Sequence, residues 1–410
     1  MNLIYDLYLK LIFLLSFAYT YTIRAIIGNV ANINLNVSYV TTLTIIMFVL
    51  YNLKHLSIKY LWIVIPFIIS SILSMLKYQI SIKTEYKLFA TILLPILFLL
   101  VNINKDKVIK FYEYFVKYFN IIIMLNTALI VLDFLSNNRI KNIIFDLAKI
   151  DTDRQFNYFR AYTLLGHPLT NIFYYLTYFS INMIYLSYFK KNDKKKSSIH
   201  IYLVTALGVL FSNGKMGIFV MVIMFFSSIV NFKGSKKIKA VLFIVLLMIF
   251  IINTSFFREN VLIRFTSGIE NNQITSGRFS TFQIMKEYDM AKFNYFIGYG
   301  IGYCDYLYSV TLEKLTGGIG LEIPLLMFCY DIGIMNTVIL YFFIGILPAL
   351  IFLKNKTYYI LLLYLCLFIY LNSYNGLAEC IGLVQMIIFI EVVFINISNH
   401  INCKTSVFRR

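Results

Sequence analysis

Apolar residues along this chain come in blocks, most of roughly 17–25, the length that crosses about 30 Å of hydrocarbon at 1.5 Å per residue. Short polar connections separate them. The blocks fall at 9–27, 37–53, 60–76, 86–103, 118–135, 169–189, 199–211, 216–232, 238–252, 332–353, 357–371 and 381–397. They predict about a dozen membrane helices. Many β-branched and aromatic residues raise the alternative of strands, but runs this long without period-2 alternation do not fit barrel strands. The blocks 199–211 and 216–232 are joined only by Ser212, Asn213, Gly214 and Lys215. Together they exceed one span, so a tight external hairpin is expected rather than one broken helix. The expected fold is all-α: a polytopic integral membrane protein of about 12 transmembrane helices, with 1–410 as a single membrane domain.

Composition strengthens this reading. With 60% hydrophobic and only 14% charged residues, the chain holds far more apolar surface than a soluble core consumes. The net charge of +18 would point to nucleic acid in a soluble protein. Here the lysines sit in short connections between apolar blocks, which makes them a topology signal and argues against nucleic acid as a partner. One alternating set holds Lys54 and Lys59; Lys105, Lys107 and Lys110; Lys190, Lys191 and Lys194 to Lys196; Lys233, Lys236, Lys237 and Lys239; Lys354 and Lys356; and Lys404, Arg409 and Arg410. That set belongs inside, so both termini are expected in the cytoplasm of a cell inner membrane protein. Cys304, Cys329, Cys366, Cys380 and Cys403 have no paired spacing and support neither a disulfide framework nor a zinc site. The block 9–27 lacks a convincing small-residue cleavage site and reads as a retained helix, with a signal peptide as the weaker alternative.

The other set of connections contains the two long ones, 136–168 and 253–322, which are therefore extracytoplasmic. At roughly 30 and 70 residues they far exceed an ordinary helix connection. In the larger loop Ser276-Gly277-Arg278 precedes Phe279, Phe282, Met285 and Tyr288, apolar at helical spacing. This predicts an amphipathic helix capped by Ser276 and lying at the membrane surface. Gly298-Tyr299-Gly300-Ile301-Gly302-Tyr303 follows. No strand–helix unit surrounds it, so it reads as a tight turn and not a dinucleotide loop.

External loops should be poor in arginine, yet Arg154, Arg160, Arg258, Arg264 and Arg278 all fall in these two. Individually each could snorkel at the interface or pair with Asp151, Asp153, Glu259 or Glu270. As a group they suit an anion site, because guanidinium forks bind phosphate oxygens bidentately and stay charged at any relevant pH.

Four fragments, in order, resemble the O-antigen polymerase and ligase superfamily, the Wzy-type proteins. They are Arg160-Ala161-Tyr162-Thr163-Leu164-Leu165-Gly166-His167-Pro168 at a helix entry, Ser212-Asn213-Gly214-Lys215-Met216-Gly217 at a helix junction, Ser276-Gly277-Arg278, and Phe296-Ile297-Gly298-Tyr299-Gly300. The likeness covers about the C-terminal two-thirds. It implies a glycosyltransferase that polymerises undecaprenyl-pyrophosphate-linked oligosaccharide repeats into capsule, exopolysaccharide or O-antigen, without metal or other cofactor. The implied partners are that lipid-linked oligosaccharide, the bilayer and a chain-length regulator protein. Arg160 and Arg278 stand where the family places its external phosphate-handling arginines, and both are expected on one pyrophosphate, with Arg264 and Lys215 adding charge. Ligases of the family usually carry a His-Asn pair ahead of the helix after the large loop. This chain has Leu321-Glu322-Ile323-Pro324 there, closer to capsule or exopolysaccharide polymerases.

The chemistry needs two things: stabilisation of a departing pyrophosphate and deprotonation of one sugar hydroxyl. Arginines serve the first. For the second, Glu322 or His167 is the candidate catalytic base. The bland readings are a solvated carboxylate at a helix N-terminus for Glu322, a capping histidine for His167 and a snorkelling cation for Lys215. An O-antigen-type ligase is the alternative within the family. A polysaccharide or lipid-linked sugar transporter, a flippase, is the rival outside it, but it should spread polar residues along its helices, and the clearest intramembrane charges here are Arg24, Asp133 and Glu391 alone. A structural or regulatory membrane protein would not require the external arginines.

Overall fold

Except at its ends, a helix satisfies its own backbone donors and acceptors, so a long apolar segment needs no water to form one. Among the described residues no strand forms, and β-type pairing is limited to the bridge between Thr163 and Gly166. The computed structural model describes residues 17–32, 64–82, 89–100, 105–150, 160–189, 199–229, 278–290, 292–307, 321–379 and 381–407. It also describes single positions between 40 and 62, at 86, and between 237 and 266. The apolar blocks 37–53 and 238–252 lie largely outside them.

The first helices are α1 (Tyr21–Ala31), α2 (Val64–Tyr78), α3 (Lys105–Leu135), α4 (Arg139–Ala148) and α5 (Pro168–Tyr188). Next come α6 (Ile199–Ser212), α7 (Lys215–Ile229), α8 (Arg278–Glu287), α9 (Tyr303–Leu307) and α10 (Pro324–Asp331). The last are α11 (Ile334–Tyr341), α12 (Leu347–Lys354), α13 (Tyr358–Asn372), α14 (Gly376–Glu379) and α15 (Ile381–Val407). Among the described residues three continuous helical stretches are long and apolar enough to cross a membrane: Lys107–Leu135, Ile334–Lys354 and Leu383–Asn402. Helices α2, α6, α7 and α13 are apolar but shorter. The π-helical segments Phe89–Leu93 and Phe342–Ile346 each lie just ahead of a proline, Pro95 and Pro348. A proline cannot donate to the carbonyl four residues back and crowds it, and a widened turn relieves both problems.

Packing divides the chain into two units that interleave in sequence. The first comprises Met1–Leu35, Phe111–Asn272 and Leu362–Tyr370. Its centre is α5, buried nearly all round from Pro168 to Ile184. Polar pairs fasten α3 to it: Asn120 and Asn182 exchange amide bonds of 3.1 and 2.7 Å, and Asn126 Nδ2 donates to the Tyr175 hydroxyl at 3.2 Å. Such bonds hold apolar helices together where water repulsion does not. On the other side α6 fits only because Gly208 has no side chain, since a Cβ there would lie 2.2 Å from the Tyr175 ring. Helices α6 and α7 are separate and fold back on each other, with Tyr202 near one end touching Ser228 and Phe225 near the other. This is the hairpin expected from the short linker, broken at Asn213, whose φ is +50°.

The second unit comprises Asn36–Lys110, Gln273–Leu361 and Leu371–Arg410. Its centre is α15, which packs on the Phe89–Leu100 segments, α12 and α14 and holds the fully buried Glu391. Helix α2 is amphipathic in the inverted sense. Ile65, Ile68, Ile69, Ile72, Leu73 and Leu76 are between 46% and 75% exposed, whereas Ser70 and Ser74 are buried and donate to the carbonyls of Phe296 and Gly298 at 2.6 and 2.9 Å. Isoleucine outside and serine inside is the arrangement stabilised when lipid, not water, surrounds a helix.

Helix α8 forms where the spacing of Phe279, Phe282, Met285 and Tyr288 predicts it. Met285 is fully buried and clusters with Met327 and Tyr330 of α10, while Tyr288 is exposed. Ser276, the expected cap, lies outside the described residues.

Candidate functional site

The segment entering α5 is built by its own side chains. Pro168 occupies the first helical turn, where its missing N–H costs nothing. Just before it the chain turns back on itself: the Gly166 N–H donates to the Thr163 carbonyl at 2.9 Å, with Gly166 at φ +102°. Asn171, fully buried one turn into the helix, clips this turn. Its Nδ2 donates to the Ala161 carbonyl at 3.0 Å and its Oδ1 accepts from the Thr163 hydroxyl at 2.9 Å. Thr20 donates to the Leu164 carbonyl from α1's cap, and the Tyr162 ring lies 4.6 Å from that of Phe145 in α4.

This turn delivers Arg160 to the end of α6. The Ala161 N–H donates to the Phe211 carbonyl at 2.8 Å, and Arg160 Nε and Nη2 donate to the carbonyls of Ser212 and Asn213 at 3.3 and 3.4 Å. Those carbonyls are the orphaned acceptors of a helix C-terminus, where a cation is favoured. A guanidinium carries five N–H donors, so two such bonds fix its plane without by themselves exhausting it.

Helix α7 begins immediately afterwards at Lys215, seated on the first turn of α5. A Cβ at Gly214 would lie 2.5 Å from Ile172 Cδ1, and one at Gly217 would lie 2.5 Å from Ile172 Cγ2. The two glycines therefore permit α5 and α7 to start side by side. The N-termini of these two helices, each of which favours an anion, thus lie at the end of the first unit that carries Arg160 and Lys215, beside the C-terminus of α6 that Arg160 caps.

His167 is the N-cap of α5. Its Nδ1 accepts from the Leu169 N–H at 3.3 Å, which places the ring hydrogen on Nε2. Burial, and secondarily the Arg160 charge, push its pKa down from 6.5 to about 3. With Nδ1 engaged in this way, His167 fills the capping role that the bland reading gives it. The depressed pKa has a consequence for stability. Between pH 6.5 and about 3 the unfolded chain binds a proton at this residue that the folded chain does not. Acidification through that window should destabilise the first unit, by at most about 1.4 kcal/mol per pH unit. His167→Asn, which keeps a capping oxygen and does not titrate, should flatten that part of the stability–pH curve measured by thermal unfolding in detergent. An unchanged slope would show that other groups set it.

The remaining sequence candidates lie elsewhere. Arg278 opens α8 in the second unit. Glu322, half-buried, precedes α10 in that unit. Arg264, like Arg154 and Arg258, is outside the described residues. The glycine-rich turn of the second unit is a close backbone contact: a Cβ at Gly298 would lie 2.1 Å from the Asp331 carbonyl oxygen. Asp331, to which sequence reasoning gave no role, closes it by accepting from the N–H groups of Gly302 and Cys304 at 2.9 and 3.2 Å. Lys141 is the other residue that sequence reasoning passed over. Among the described residues no group of three or more metal-binding side chains occurs. Comparison of the chain with protein-family models, curated proteins and solved structures finds no match.

Proposed function

We propose that this chain is a polytopic inner-membrane glycosyltransferase of the repeat-unit polymerase type, with about twelve spans and both termini cytoplasmic. It transfers a growing glycan from undecaprenyl pyrophosphate to a hydroxyl of a second lipid-linked oligosaccharide on the outer side. The observation that carries the reading is the gathering of Arg160, Lys215 and two helix N-termini at one end of the first unit. That is the electrostatic provision a pyrophosphate leaving group needs. In the reaction the acceptor hydroxyl loses its proton to a carboxylate and its oxygen bonds the anomeric carbon. The bond from that carbon to the pyrophosphate oxygen breaks, and the lipid pyrophosphate departs with the electron pair. Glu322 is assigned the proton on sequence grounds, and Arg278 a share in phosphate handling.

One experiment tests function and orientation together. Source cells lacking the chain should accumulate single repeats on lipid at the outer face. A copy tagged between Asn271 and Asn272 should restore polymer and be labelled by impermeant reagents. Accumulation facing the cytoplasm would instead assign the chain to the transporters.

A further inference from the structure

Lys141 is only 2% exposed, although it lies on a ten-residue helix between two loops. Its backbone and its side chain do different work. The backbone N–H donates to Asp133 Oδ1 at 2.7 Å, which ties the start of α4 to the end of α3. The ammonium donates to Asn138 Oδ1 at 3.1 Å and to the Arg160 carbonyl at 3.3 Å. Burial lowers its pKa, and the nearby Asp133 charge opposes that shift. A cation stripped of water is costly unless its hydrogen bonds are made, so a lysine placed here needs a reason beyond filling space.

We infer that Lys141 is the positioning residue of Arg160, gripping its carbonyl from α4 while its guanidinium spans the end of α6. The residue would thus be held at both ends. Lys141 Nζ fixes the main chain, and the carbonyls of Ser212 and Asn213 fix the side chain. A guanidinium whose plane is set in advance matches two phosphate oxygens without the side-chain entropy cost of freezing a free arginine on binding. The functional part of this inference rests on the pyrophosphate role proposed above; the positioning part does not.

The test is Lys141→Met, which keeps the apolar stem, removes the ammonium and leaves the backbone bond to Asp133 in place. Hydrogen exchange on protein in nanodiscs should show the Ala161 amide exchanging about tenfold faster, with α4 amides unchanged. Undecaprenyl pyrophosphate, used as the probe, should bind about tenfold more weakly to the variant. In an Arg160→Ala background, Lys141→Met should weaken it no further, because a residue acting only through Arg160 has nothing left to position. Equal weakening in both backgrounds, or unchanged Ala161 exchange, would overturn the inference. If the unaltered protein failed to bind the probe, the pyrophosphate role would fall, and positioning would be decided by the exchange result alone.

Discussion

Replacing Arg160 with lysine is expected to abolish polymer or reduce it strongly while leaving protein abundance near normal. Two costs must be separated. As a cap on the α6 C-terminus, Arg160 contributes on the order of 0.3–1 kcal/mol, and a lysine ammonium retains much of that because it is still a cation near the same carbonyls. Toward a pyrophosphate the loss is larger. Each hydrogen bond to a charged partner is worth about 1.5–3 kcal/mol, and an ammonium cannot reproduce the paired, coplanar donors of the fork. Losing two such bonds corresponds to a rate effect of about 10²–10⁴-fold. Arg160→Ala should do no better, and Arg278→Lys should behave alike if it shares the load. The measurement is polymer amount and length in cells, with membrane abundance of each variant as the control. Polymer of ordinary amount and length from both lysine variants would mean that the two arginines are interfacial anchors.

Among the described residues, helices were legible in the sequence where apolar runs had no competing pattern. The linker 212–215 forced a hairpin because one span cannot hold both blocks, and Tyr202 against Phe225 shows it. Boundaries were less legible. Helix α3 begins at Lys105, well before the apolar block 118–135. Its first turns are amphipathic, with Phe111, Tyr112 and Phe115 buried and Lys110, Glu113 and Lys117 exposed. A search for uniformly apolar windows does not see such a stretch. Helix α15 likewise continues to Val407, past the end of the block 381–397.

The candidate site was legible where a local motif carries it and opaque where tertiary packing does. Arg160, His167 and Lys215 stand out as polar residues at helix junctions, and the fold gathers them at one end of α5, α6 and α7. Lys141 reads as one more lysine in an external loop. It takes tertiary packing, with Asn138 and the Arg160 carbonyl brought to its ammonium, to make it a buried cation. Asp331 reads as a charge ending an apolar run, and its role appears only when Gly298 brings the loop backbone against it. Ser70 and Ser74 are lost inside an apolar block, because small hydroxyls barely change its hydropathy.

Glu322→Gln is the second change expected to have a large effect, lowering the polymerisation rate by roughly 10²–10⁴-fold, the usual contribution of a general base. On the proposed function Glu322 is the better candidate base. His167 holds a neutral ring whose Nδ1 is engaged by the Leu169 N–H, so it is poorly suited to take the acceptor's proton. Glu322 is a carboxylate two residues ahead of Pro324, at the start of α10, where a helix N-terminus favours negative charge. Glutamine keeps the size and most of the hydrogen-bonding capacity but cannot accept the proton, so folding should survive while chemistry does not. Helical content and membrane abundance check the first. The second is read from the rate of polymer formation by purified protein on lipid-linked repeats, followed across pH. A base that must be ionised gives a rate that falls on the acid side, and in the glutamine variant that limb should vanish along with most of the rate. A structural carboxylate would instead lower abundance and leave the shape of the profile intact. Normal polymerisation by a folded glutamine variant would remove Glu322 from the mechanism and leave the acceptor's proton to a residue not yet identified.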